Sequence, residues 1–193
     1  MKNPFFAFDT LILRDLNQWA ARKIFLITVL SEYLVFAVIA LALLWLVKRT
    51  YQQNRPQIEF KLFLKNLCIQ GVTILAIPVG VATAVSEVIS RVYARERPFI
   101  AMHDIRLLVP HSADGGMPSH HVVFMASTAF MVYLLNKRLG IVLIVLSLIS
   151  GVGRISAGIH YPSDVLVAFL LAGITIYLYS QLISRFRWEI SNL

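Results

Sequence analysis

The chain reads as an all-α polytopic membrane bundle of about five transmembrane helices with an N-terminal interfacial amphipathic helix in front, and three observations carry that reading. Apolar residues make up 58% of the 193-residue sequence against 15% charged, a balance too apolar for a water-soluble domain. They gather into runs long enough, at about 1.5 Å per residue, to cross about 30 Å of hydrocarbon. The charged residues fall between those runs, apart from Glu32 and Glu87 within the first two. No polar linker, low-complexity stretch or repeat divides the chain, so residues 1–193 are expected to form one integral-membrane domain.

Residues 4–21 set Phe5, Phe8, Ile12, Leu16 and Trp19 at helical spacing, with Thr10, Arg14, Asn17 and Gln18 roughly opposite; this predicts a helix lying in the interface instead of crossing. Met1 to Thr10 lacks the basic, apolar, small order of a signal peptide, so no cleavage is expected. Ile24 to Val47 is the first span, and Lys48 to Lys65 a basic loop with Pro56. The second span covers Leu67 to Ser90, with a bend expected at Pro78 and Gly80. Its lone cysteine, Cys68, is expected to be a small packed hydrophobe. Residues 94–118 form a long loop with the Pro and Gly content of a lid or binding loop. A third helix should start at Pro118-Ser119, its free N–H groups available to an anion, and end near Leu135. After a basic turn, Asn136 to Arg138, a fourth runs from Leu139 to about Ile155, and Pro162-Ser163-Asp164 opens a fifth that reaches about Ser184.

The formal charge of +8 sits between apolar spans, where it suits lipid head groups and topology; no nucleic acid partner is expected. Connectivity places the N-terminus, the 94–118 loop and the turn around residue 160 on one side. Nine basic residues (Lys48, Arg49, Arg55, Lys61, Lys65, Lys137, Arg138, Arg185, Arg187) lie opposite, against Lys2, Arg14, Arg22 and Lys23 on the first side, with five further arginines set aside as binding residues. The positive-inside rule then puts the residue-160 turn outside the cytoplasm.

That turn holds Arg154-x5-His160-x3-Asp164. Ionisable groups at a membrane boundary are costly unless paired or used. At this spacing Asp164 can accept the Nδ1 proton of His160, leaving Nε2 as nucleophile or base, while Arg154 offers planar donors to an anion. Upstream stand Arg95-Glu96-Arg97-Pro98-Phe99 and Pro118-Ser119-His120-His121. Cationic forks, a small hydroxyl with backbone donors and two imidazoles describe a phosphate pocket.

These blocks resemble the signatures of the type 2 phosphatidate phosphatase superfamily: Lys-x6-Arg-Pro, Pro-Ser-Gly-His, and Ser-Arg-x5-His-x3-Asp. The resemblance covers about residues 85–180, and the run from Arg97 through Leu108-Val-Pro-His-Ser-Ala-Asp-Gly-Gly-Met-Pro-Ser-His-His looks most like the bacterial undecaprenyl diphosphate phosphatases of the bacitracin-resistance type. Three positions depart from the pattern: the family Lys falls on Ser90, with Arg91 or Arg95 as its stand-in; the Gly of Pro-Ser-Gly-His is His120; and the Ser of Ser-Arg is Gly153.

The resemblance implies that His160 attacks the terminal phosphorus to form a phosphohistidine, that Asp164 orients it, and that His121 protonates the leaving oxygen, with water completing the hydrolysis. Arg97, Arg154 and Ser119, with Arg91 and Arg95, would hold phosphate oxygens. Glu32 is a candidate for the lipid-headgroup cleft and Arg106 for a second phosphate. No cofactor and no metal is expected; His103, Asp104, His111 and Asp114 fit no standard ligand spacing and read as a solvated loop. Glu87 is set for a helical ion pair with Arg91. The implied partners are a polyprenyl diphosphate and the bilayer, in a bacterial inner (cytoplasmic) membrane with the site facing the periplasm or exterior. Alternative substrates are phosphatidylglycerophosphate and phosphatidate, and the rival of another class is a non-enzymatic permease or drug-binding subunit carrying a degenerate site.

Overall fold

The computed structural model describes residues 4–53 and 59–191, all helix, turn or loop. The helices are α1 (Pro4–Ala20), α2 (Ile24–Gln53), α3 (60–93), α4 (Pro98–Ala101), α5 (His120–Leu135), α6 (Lys137–Ser156) and α7 (Pro162–Ser191). Among the described residues, four stretches are long and apolar enough to cross a membrane: Ile24–Gln53, Phe60–Ala101, Lys137–Ser156 and Pro162–Ser184. The fifth expected crossing, α5, has 16 residues, about 24 Å at 1.5 Å each. It is the bundle's centre, packed by α2, α3, α6 and α7, and nine of its residues are buried. The hydroxyls it carries inward are satisfied within the helix, Ser127 donating to the Val123 carbonyl and Thr128 to that of Phe124. Between α5 and α6 the turn is tight because Asn136 caps, its Oδ1 accepting from Leu139 N at 3.2 Å. Helix α6 therefore begins two residues earlier than the periodicity indicates.

Two helices contain π-turns, Val29–Tyr33 in α2 and Gly71–Ala76 in α3. The second falls just before Pro78, at the bend the sequence predicts; proline withholds a donor from the preceding turn, which widens. The first lies where α6 crosses α2 at its closest. A Cβ on Gly153 would stand 2.9 Å from Leu30 Cβ and 3.0 Å from Ser31 N, so the family serine has no room at this position.

Helix α1 keeps Phe8 and Trp19 of the predicted apolar side exposed, together with Leu11, and is held to the bundle by Asp9, Leu13, Asn17 and Ala20, which are buried. The polar residues turn inward because loops with unpaired backbone groups lie there. Asn17 Nδ2 donates to the carbonyls of Arg106 and Ser156, both at 2.9 Å, and its Oδ1 accepts from Arg106 N at 2.9 Å. Contrary to expectation, Cys68 is exposed on α3 and not packed.

Asn17 thus ties α1, the 102–119 loop and the end of α6 into one unit. Asn17→Ala should lower stability by about 3 kcal/mol, the sum of three ordinary hydrogen bonds, measured by unfolding in mixed micelles. A variant as stable as the parent would mean that water replaces the amide without loss.

Candidate active site

The 94–119 loop, the 157–161 turn and the ends of α1, α2, α5 and α7 meet at one end of the bundle. Gly158 makes the turn possible: its φ of +79° lies in the left-handed region, and a Cβ there would come within 2.6 Å of the Arg106 carbonyl oxygen. The loop is pinned by Leu108 N donating to Ala157 O at 3.1 Å and Gly116 N to Arg95 O at 2.8 Å. Ser90, at the position of the family Lys, donates its hydroxyl to Gly115 O at 3.1 Å. This small side chain holds the loop where a lysine would reach across it.

Arg97 is 4% exposed. Its Nε and Nη2 donate to Asp114 Oδ1 at 3.0 and 2.6 Å, and Nη2 also to Gly115 O at 3.3 Å. Its Nη1 lies 3.2 Å from His160 Nε2, while His160 Nδ1 is 2.8 Å from the Gly116 carbonyl. A carbonyl only accepts and a guanidinium only donates, so the proton sits on Nδ1 and the lone pair on Nε2. Burial, then the charges of Arg154 and Arg97, hold the His160 imidazole well below its ordinary value, and it is neutral at neutral pH.

The tautomer is the expected one, but its partner is not. Asp164 Oδ2 stands 3.6 Å from His160 Nδ1, beyond hydrogen-bond reach, and instead accepts from Tyr161 N at 2.8 Å. The Gly116 carbonyl is nearer and takes the imidazole proton. Asp164 Oδ1 accepts from Arg95 Nη1 at 2.6 Å, and Arg95 Nη2 reaches Asp9 Oδ2 at 3.0 Å. Arg95 also lies 4.0 Å over the Tyr161 ring. With two carboxylates on its fork it is a brace behind the site, in place of the expected phosphate ligand. Arg91 is also displaced from that role: it is 78% exposed and pairs with Glu87 at 2.6 Å, since it projects about 100° round α3 from the buried Ser90.

Arg154, 1% exposed, donates through Nη1 to Glu32 Oε1 at 3.0 Å and to Ser31 O at 3.3 Å. Its Nη2 lies 3.3 Å from His111 Nε2. Arg154 Nε and the Ser119 hydroxyl are buried without a hydrogen-bond partner among the described residues, so both are free to donate to an anion. His121 and Glu32 line a cleft of about 700 Å³ with Tyr33, Phe36 and Phe124. Arg106 is exposed, and its structural tie is its backbone, held by Asn17.

The expected solvated loop residues separate. His103 is exposed and Asp104 pairs with Arg14 at 2.6 Å, whereas His111 and Asp114 belong to the site. Among the described residues no three His, Cys, Asp or Glu side chains are close enough to hold a metal. Sequence reasoning therefore missed Asp9, Asn17, His111, Asp114 and the Gly116 carbonyl. For Asp9 and Asn17 a signal existed: with Leu13 they recur every four residues, on one face of α1.

Buried arginines on both sides of a neutral imidazole, with donors unused, suit an anion that accepts on several oxygens and is attacked at its centre. Residues 71–188 match the model of the PAP2 superfamily. The chain belongs to that superfamily. It is 31% identical over 162 residues to undecaprenyl-diphosphatase BcrC of Bacillus subtilis (strain 168), covering 81% of this chain and 75% of that protein. It is 27% identical to the bacitracin transport permease protein BcrC of Bacillus licheniformis, of which it spans 63%. The PAP2-type phosphatidylglycerolphosphate phosphatase from Bacillus subtilis shares its fold, with a TM-score of 0.63 at 18% identity over 95% of this chain and 88% of that one. As a PAP2 protein with these relatives, the chain is a membrane lipid phosphatase.

Burial, Arg97 and Arg154 lower His111 from 6.5 to about 4. The unfolded chain therefore binds the extra proton first, and this residue's contribution to stability is lost as pH falls from 6.5 toward about 4. Melting curves in detergent across that window should be flatter for His111→Asn than for the parent; parallel curves would place His111 outside the charged site.

Proposed function

We propose that this PAP2 phosphatase hydrolyses undecaprenyl diphosphate to undecaprenyl phosphate at the outer face of a bacterial inner membrane, recycling the lipid carrier of cell-wall synthesis. The observation that carries the chemistry is the His160 Nε2 lone pair, fixed by Gly116 O on the far side of the ring and set 3.2 Å from Arg97 Nη1. The substrate follows from the relatives named as undecaprenyl-diphosphatases.

In the proposed reaction Nε2 forms an N–P bond to the terminal phosphorus as the P–O bond to the lipid phosphate breaks. Arg97, Arg154 Nε and the Ser119 hydroxyl take the equatorial oxygens, where charge gathers in phosphoryl transfer. His121, in the cleft beside Glu32, gives its proton to the leaving oxygen. Water then attacks phosphorus, its proton returns to His121, the N–P bond breaks and inorganic phosphate departs. Asp164 keeps its place one layer back, fixing through Arg95 and Tyr161 N the turn that presents His160.

The two histidines separate by what each supplies. His160→Ala should abolish turnover on every substrate, together with the acid-labile ³²P label trapped on the parent protein. His121→Ala should cost about 10²-fold or less in kcat/KM on undecaprenyl diphosphate, whose leaving group is a phosphate, and nearer 10⁴-fold on a phosphatidate-like monoester, whose leaving group is an alkoxide. Label surviving in His160→Ala would reassign the nucleophile. Equal losses on the two substrates would make His121 a phosphate ligand only.

The sidedness rests on the lysine and arginine asymmetry. Exposed Ala113 is the residue to label, because a Cβ at the neighbouring Gly115 would press within 2.7 Å of Ser90 O. In a Cys68→Ser background, Ala113→Cys should react with an impermeant thiol reagent in intact spheroplasts. Reaction only after lysis would reverse the orientation.

A further inference from the structure

Two cavities on the α2–α3 side of the bundle share a wall. One is the cleft of about 700 Å³ that holds His121 and Glu32. The other, about 580 Å³, continues between α2, α3 and α5 and is lined by Ala42, Leu43, Leu75, Val79 and Gly80, with no charged side chain. Ile39 and Phe124 line both. Two threonines in the second cavity bond to their own helices, Thr83 to Val79 O at 2.7 Å and Thr128 to Phe124 O at 2.9 Å. An ionic head group would therefore be unpaired in this space, whereas a hydrocarbon chain fits it.

Gly80 is the unusual residue of that wall. It sits within a helix, where glycine is a poor former, and a Cβ built on it meets nothing within 4 Å. It lies seven residues before Glu87, whose Oε2 is 3.6 Å from His120 Nε2 at the mouth of α5. At 1.5 Å per residue that places Gly80 about 10 Å below the site along the helix.

We propose that the apolar cavity receives the first isoprene units of the substrate's tail, threaded past Ile39 and Phe124, and that the missing side chain of Gly80 sets the bore. This rests on the polyprenyl diphosphatase reading above and adds a specificity residue to it. A one-unit tail, as in dimethylallyl diphosphate, ends above Gly80; a C55 tail passes it.

The test compares parent and Gly80→Phe in detergent, on undecaprenyl diphosphate and on dimethylallyl diphosphate, with native mass spectrometry of bound undecaprenyl phosphate. The ring has open space to enter, and Gly80→Ala, with an unchanged melting temperature, controls for the backbone. Gly80→Phe should lower kcat/KM on the long substrate by about tenfold or more and on the short one by less than about twofold, and should lose the lipid adduct. If it keeps the adduct, or affects both substrates alike, the tail lies elsewhere and the cavity holds a structural lipid or nothing. If the parent hydrolyses neither diphosphate yet loses its adduct on substitution, the cavity assignment stands and the phosphatase substrate is wrong. Should Gly80→Phe fail to fold, Leu75→Trp, on the same cavity and away from the His121 cleft, is measured against the same outcomes.

Discussion

Burying a guanidinium removes it from water at a cost of several kcal/mol unless each donor finds an acceptor. Arg97 meets that condition by drawing together pieces of chain far apart in sequence: the Asp114 carboxylate, the Gly115 carbonyl and the His160 imidazole. The 94–119 loop anchors itself by burying Ile105 and Val109 in the core, while its 114–116 stretch is held by Arg97. The same contacts place the Gly116 carbonyl against His160 Nδ1. Loop conformation, imidazole tautomer and the direction of the Nε2 lone pair are thus one constraint.

Arg97, Arg154 and Arg95 are each matched by acid: Arg97 by Asp114, Arg154 by Glu32, and Arg95 by Asp9 and Asp164. The pairs differ in accessibility. Asp114 and Glu32 are on the open side, 63% and 30% exposed, whereas Asp9 and Asp164 are buried. An arriving phosphate can displace an exposed carboxylate from a guanidinium by offering more charge in the same geometry; it has no route to displace an enclosed one. Two arginines therefore have their acid on the open side and the third has both of its acids enclosed, a division that follows from burial and not from residue type.

Much of the architecture was legible because it depends on short-range pattern. Long apolar runs became the spans, Pro118-Ser119 opened a helix, and Glu87 found Arg91 one turn away. Where the reading went wrong, the deciding contact was long-range. Arg95 was misassigned because Asp9 lies 86 residues away and no local feature links them. Asp164 was given the Nδ1 proton from its spacing, but a loop carbonyl 44 residues from His160 took it. The burial of Asp9 and Asn17 in α1 is of the same kind, since these polar residues pack against segments whose backbone groups need hydrogen bonds. The departure at Gly153 was visible in the sequence; its cause, the backbone of α2 at van der Waals distance, was not.

Helix α1 faces two ways. It grips the catalytic loops through Asn17 and Asp9, and its outward side presents Phe8, Leu11 and Trp19, the last with Lys23 Nζ 3.9 Å from its ring centroid. Aromatic rings flanked by a lysine settle at the boundary between head groups and hydrocarbon. Helix α1 thus joins the loops around His160 on one side to an exposed aromatic surface of interfacial character on the other.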